Sequence, residues 1–240
     1  MDAIDAQAPV AALVTEKPAR AAVLERHGID YCCGGRLPLA EACARAGVGL
    51  DQLAAEMAEL DAAAPADTTD WSRAPLGVLA DHIVETHHGR LYREMPRLVD
   101  LAAKVVNAHG DRHPELAEVQ RLVSEMWAEL KSHCFKEENI LFPYCQALDE
   151  ADQAPWAPFG TVQNPVLVME QEHDTVAQIL RRLRSLTGGY APPEDACLTY
   201  RVMLESLRAL EQDLHLHIHK ENNILFPRAI AREAELRAAA

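Results

Sequence analysis

His133-Cys134-Phe135-Lys136-Glu137-Glu138-Asn139-Ile140-Leu141-Phe142-Pro143 recurs 84 residues later as His217-Ile218-His219-Lys220-Glu221-Asn222-Asn223-Ile224-Leu225-Phe226-Pro227, with eight of the eleven positions identical. An earlier histidine pair, His88 and His173, is offset by 85. One helix hairpin used twice makes a four-helix bundle, so the chain is read as all-α, an antiparallel four-helix bundle. The four helical patterns run over residues 75–106, 114–148, 165–186 and 195–236, starting at or near Pro and breaking near Gly as helix ends do.

Residues four apart on a helix stack on one face, so His133 with Glu137, and His217 with Glu221, each aim an imidazole and a carboxylate the same way. The apolar stripes give the direction. In the second helix Leu122, Met126, Leu130, His133, Glu137 and Ile140 step by three or four; in the fourth, Met203, Leu207, Leu210, Leu214, His217, Glu221 and Ile224 do so. Val84, His88, Leu91, Met95 and Leu98 form the first stripe, and Val166, Met169, His173, Val176, Leu180 and Leu183 the third. Every helix thus carries a histidine on its dry face, and two add a glutamate. A single buried carboxylate without a partner costs several kcal/mol, and a shared cation removes that cost. A core histidine bonded to a neighbour is the ordinary alternative for any one of them, but not for six matched groups. Imidazole with carboxylate and no thiolate suits iron or manganese better than structural zinc, and facing carboxylates can bridge two ions. The ligand types do not separate iron from manganese.

Ahead of the bundle lies a small helical N-terminal domain, residues 1–62, with short helical patterns at 18–26 and 37–46 and the turn-like run Asp30-Tyr31-Cys32-Cys33-Gly34-Gly35 between them. Residues 63–73, rich in Ala, Pro, Asp and Thr, are read as a linker in which Thr69 or Asp70 caps the next helix. The bundle occupies 74–240. With little core of its own, the N-terminal domain is expected to dock on a bundle, its own or that of a partner in a homodimer.

The paired H-x-x-x-E motifs with E-N-x-I-L-F-P, together with Asp-Tyr-Cys-Cys-Gly-Gly, resemble the RIC (repair of iron centres) family over residues 17–232. The resemblance implies a hemerythrin-like bundle holding two non-haem iron ions, oxo-bridged when oxidised. It also implies a role in repairing iron–sulfur clusters damaged by oxidative or nitrosative stress. Carried over residue by residue, the di-iron ligands fall on His88, His133, Glu137, His173, His217 and Glu221. Hemerythrin oxygen carriers usually add a fifth histidine, whose apparent absence suits a more open centre, though His82 and His219 are spare. The implied partners are damaged iron–sulfur proteins and small ligands such as NO and O₂. A di-iron NO or peroxide reductase and an oxygen carrier or sensor are the alternatives. Turnover with an electron donor would mark the first, and reversible O₂ binding insensitive to loss of Cys32 and Cys33 the second.

Adjacent Cys32 and Cys33 are poor at chelating one ion, and a disulfide between them would be strained. They are read as a functional thiol pair that contacts iron, sulfide or a damaged cluster, or exchanges disulfides; the ordinary alternative is a tight turn with two small buried thiols. Cys43 is expected in the core, and Cys134 pointing away from the metal. His87 is expected to flank the site, His215 and His219 to face solvent, and His109 and His113 to be exposed. Trp71, Trp127 and Trp156 are read as packing residues, and Lys136 and Lys220 as solvent-facing salt-bridge partners.

Composition sets the outer bounds. A formal charge of -14 argues against nucleic acid and anionic membrane surfaces. No run of about 18 apolar residues suggests a transmembrane helix, and the N-terminus lacks a signal-peptide pattern. The six cysteines form no spaced disulfide framework, so a reducing, cytoplasmic setting is expected.

Overall fold

The computed structural model describes residues 4–63 and 69–239. Residues 64–68, the middle of the expected linker, lie outside the described residues. Four helices come first: α1 (Val10–Glu16), α2 (Ala21–Arg26), α3 (Leu39–Ala46) and α4 (Leu50–Ala63). The first and last of these were not expected from sequence. Four rods follow. The first is α5 (Leu76–Ile83), a π turn (Val84–His88) and α6 (Gly89–His109). The second is α7 (Glu115–Lys136), a π turn (Glu137–Leu141) and α8 (Phe142–Glu150). The third is α9 (Gln163–Leu186); the fourth is α10 (Leu198–Lys220), a π turn (Glu221–Leu225) and α11 (Phe226–Ala238). No described residue lies in a β-strand; an isolated bridge joins Pro9 and Pro38. No described helix is long and apolar enough to cross a membrane.

α6 packs on α7 and α10, and α7 also packs on α9. Two apolar clusters fill the bundle. One gathers residues that follow His88 and His173 on the first and third rods and precede His133 and His217 on the second and fourth, including Leu91, Met126, Leu130, Val176, Leu207 and Leu214. The other lies on the opposite side of them, with residues before His88 and His173 and after Glu137 and Glu221, including Ile83, Leu141, Phe142, Met169, Leu225 and Phe226. The polar groups form a layer between the two. Each buried Leu or Phe contributes about 1.5–3 kcal/mol, so the layer is held by apolar packing above and below.

The repeated Phe-Pro explains two of the π turns. A proline inside a helix lacks an N–H, and its ring crowds the carbonyl four residues back. For Pro143 that residue is Asn139, and for Pro227 it is Asn223, each within the π turn that widens to relieve the clash. The extra residue per turn shifts the register. Leu141 and Leu225 enter the core in both turns; Ile140, expected to face inward, is 45% exposed, whereas the matching Ile224 is buried as expected.

The start of α5 also departs from expectation. Asp70 accepts from Ser72 N at 3.1 Å in a turn upstream, and Pro75 stands at the helix N-cap. The first N–H groups of α5 are instead met by another helix: Leu76 N and Gly77 N donate to Asp149 of α8 at 3.1 and 2.8 Å. Sequence alone favours a local cap because the distant one is visible only after folding.

Candidate metal centre

The π turns fall where the polar layer lies. His88 ends the first; Glu137 and Glu221 begin the other two. His88, His133, His173, His217, Glu137 and Glu221 are all buried, both glutamates completely. The structure brings these six together as two sets. His88, Glu137, His217 and Glu221 have one donor atom each within 4.8 Å of one another, as do His133, Glu137, His173 and Glu221. The glutamates belong to both.

The donor atoms fit cations. His88 Nε2 lies 3.2 Å from His217 Nε2, and His173 Nε2 lies 3.1 Å from His133 Nε2. Two nitrogens sharing an ion at about 2.1 Å and a right angle stand roughly 3 Å apart. The carboxylates are approached by imidazole nitrogens at 2.9–3.3 Å, yet all four of their oxygens are buried without a hydrogen bond among the described residues. Buried acceptors of this kind call for a cation rather than a proton.

Electrostatics agree. Burial and repulsion from Glu221 push Glu137 up, but the imidazoles of His133 and His88 outweigh them and hold it below the usual carboxylate range. Burial likewise opposes ionisation of Glu221, which His217 and His173 hold well below that range. Burial dominates at His217; Glu221 opposes it, His88 and His87 add to it, and the pKa falls to about 4.

Outer partners orient three of the four imidazoles. His88 Nδ1 donates to Glu138 at 2.8 Å, His133 Nδ1 to Glu172 at 3.0 Å, and His173 Nδ1 to Asn222 at 2.9 Å. Each acceptor fixes the Nδ1–H tautomer and leaves Nε2 free to bind a metal. His217 Nδ1 is buried with no hydrogen-bond partner among the described residues. The repeat held a signal for these residues: Glu138 and Asn222 are 84 apart, and His87 and Glu172 directly precede His88 and His173. Periodicity within a single helix did not point to them.

Several neighbours differ from the sequence reading. His87 is buried, its ring parallel to that of His217 at 5.1 Å between centroids, because the π turn rotates it inward. His219 is buried too. Its Nδ1 donates to Tyr31 O at 3.3 Å and its Nε2 accepts from Thr15 Oγ1 at 3.2 Å, while half-buried His215 meets the Tyr31 ring. His109 is buried and His113 half-buried, both against Tyr200. Cys134 is buried and lies against His88. Trp71 stacks on His82 at 4.0 Å and Trp127 packs on Tyr92, but Trp156 is 87% exposed. Lys136 pairs with Glu172, whereas half-buried Lys220 lies 2.8 Å from His82 Nε2 and 3.0 Å from His87 Nε2. Neither His82 nor His219 joins the two metal sets.

The thiol loop sits on the same bundle helix. The N-terminal core gathers Leu13, Leu24, Tyr31, Leu39, Cys43 and Met57 around Ile218 of α10, so the domain docks on its own bundle. Asn223 Nδ2 donates to Cys32 O at 2.9 Å, one residue beyond the partner of His173. Asp30 Oδ1 accepts from Cys32 N, Cys33 N and the Cys32 thiol at 2.9, 3.0 and 3.2 Å. Gly35 is required: a Cβ there would stand 2.4 Å from Tyr31 O and 2.7 Å from Ala11 Cβ. Cys32 is buried, Cys33 half-buried, and the two with Asp30 form a third set of close donor atoms.

Residues 79–229 match the family model described as Hemerythrin HHE cation binding domain, and residues 6–61 match one described as a Domain of Unknown function (DUF542). A protein of Escherichia coli O81 named iron-sulfur cluster repair protein YtfE is 37% identical over 94% of this chain and 97% of its own length. One of the same name from Escherichia fergusonii is 36% identical over the same shares. The chain therefore belongs to the hemerythrin-like RIC family of iron–sulfur cluster repair proteins.

Proposed function

We propose that this protein holds two iron ions and supplies iron to iron–sulfur clusters damaged by oxidative or nitrosative stress. The observation that carries the reading is the sharing of Glu137 and Glu221 between two four-group sets, each with its own pair of histidines. His88 and His217 would hold one ion, His133 and His173 the other, and the two carboxylates would bridge them. Ferrous iron held there would be the cargo, and ligand exchange at it is the chemistry it would supply.

The remaining work belongs to the chain. Phe142 stacks on His88 and Phe226 on His173, closing the layer on one side with apolar rings that keep water from the carboxylates. Glu138, Glu172 and Asn222 keep three imidazoles aimed inward. Cys32 and Cys33 would meet the outgoing iron or the damaged cluster. The Cys32 thiol is held protonated, first by its hydrogen bond with Cys33 and then by burial, so a cation is needed to displace its proton. In this reading residues 1–62 form a thiol-bearing module, joined through 63–73 to the metal-holding bundle at 74–240.

Restoration of an NO-damaged cluster enzyme by the iron-loaded protein tests the proposal. Activity recovered beyond that given by equal free ferrous iron supports it; equal recovery removes it. A Cys32→Ser/Cys33→Ser variant that repairs as well as the parent removes the thiol role alone.

A further inference from the structure

The two halves of the centre are not equivalent, although the sequence repeat makes them look so. In the first half, Glu172 of α9 accepts from His133 Nδ1 and is paired with Lys136. The matching residue for His217 is His87, and the matching lysine is Lys220. His87 cannot do the work of Glu172. Its Nδ1 donates to Asp213 Oδ1 at 3.2 Å, and its Nε2 faces Lys220 Nζ at 3.0 Å. Both ring nitrogens are engaged, and the ring offers His217 only a parallel face at 3°. Asp213, one turn before His217, turns its Oδ1 to His87 and Arg90, and its buried Oδ2 meets no hydrogen-bond donor among the described residues, His217 Nδ1 included.

His217 is therefore the one imidazole of the four whose Nδ1 has no acceptor among the described residues. Such acceptors raise the basicity of a metal-bound imidazole and fix its ring, and losing one typically costs 10–100-fold in metal affinity. The set containing His133 and His173 has two outer acceptors, Glu172 and Asn222. The set containing His88 and His217 has one, Glu138. We propose that the two metal positions are unequal: the ion between His88 and His217 is the one released, and the ion between His133 and His173 is retained. This rests on the two-ion reading above and adds which ion is the cargo. Glu172 and His87 are then positioning residues that set the difference.

The test is the release of ferrous iron from the full-length protein, loaded anaerobically with two equivalents, to excess ferrous chelator. Two phases of one equivalent each are expected, separated about 10- to 100-fold. His87→Glu, which copies the first half and retains Lys220 as its cation, should slow the fast phase, and His87→Gln should slow it less. Glu172→Leu should quicken the slow phase towards the fast one, and Glu172→Gln should restore much of the separation. Where His87→Glu fails to fold or to hold two ions, Glu172→Leu decides. One phase in the wild type, two well-separated phases persisting in Glu172→Leu, or a fast phase that answers to Glu172 rather than to His87 would each overturn the assignment. No client enzyme is present in the assay. Unequal release without repair upholds this inference and removes the repair reading; repair with equal release does the reverse.

Discussion

Nε2 of His133 on α7 lies 3.1 Å from Nε2 of His173 on α9, with Glu137 and Glu221 each within 3.2 Å of one of the two rings. Two lone-pair-bearing nitrogens and two carboxylates packed this closely, away from water, repel one another unless positive charge lies among them. Metal analysis of anaerobically purified protein should find about two irons per chain, fewer in His133→Ala or His217→Ala. Two irons retained after all four histidines are replaced would remove the site. Chelation should also lower the thermal midpoint, because a ligand bound only to the folded state stabilises it.

Glu233 of α11 should be a stability residue with no part in metal binding. It is buried and accepts from Tyr144 Oη and Thr161 Oγ1 at 2.6 Å each, and from Val162 N at 3.1 Å, tying α11 to α8 and the loop before α9. Glu233→Ala leaves those donors unmet and should cost roughly 3 kcal/mol. Chemical denaturation would measure the loss, and iron content at low temperature should stay unchanged.

Gly35→Ala should loosen the thiol loop without emptying the bundle. The added Cβ runs into the Tyr31 carbonyl, which also accepts from His219. In the parent protein Cys33 should alkylate well before Cys32, which is buried and held protonated. In the variant the two rates should converge, as mass spectrometry of the labelled peptides would show. Unchanged rates would mean that the loop accommodates the methyl group.

Alkaline pH should loosen the end of the bundle remote from the metal layer. His113 lies 3.0 Å from Asp195 and 3.2 Å from Glu115, and chiefly through Asp195 its pKa is raised above 6.5. A histidine whose folded-state pKa is raised contributes fully below its unfolded pKa and loses that contribution as pH climbs through the folded value. Amide exchange around residues 109–115, corrected for intrinsic rates, should therefore quicken from pH 6.5 upward. His113→Gln should flatten the dependence.

The sequence by itself determined the rods and the faces they bury. Both follow from short-range periodicity; the doubled His-Lys-Glu-Asn-Ile-Leu-Phe-Pro pattern marks the bundle and four of the side chains that meet inside it, and the apolar stripes of the other two rods mark His88 and His173. What it could not determine is anything that depends on a partner distant along the chain or on the local helical pitch. A period of 3.6 places both Ile140 and Ile224 inward, whereas the π turns ahead of Pro143 and Pro227 bring Leu141 and Leu225 into the core and only Ile224 stays buried beside its leucine. The same widening turned His87 inward. His219 was read as exposed because its cover, Tyr31 and Thr15, lies some 190 to 200 residues earlier. The cap of α5 came from Asp149, not from its own leading segment. The contrast between Glu172 and His87 is written in the repeat, but its consequence is not. Only the packed bundle shows that one reaches its imidazole with an acceptor while the other offers only the face of its ring.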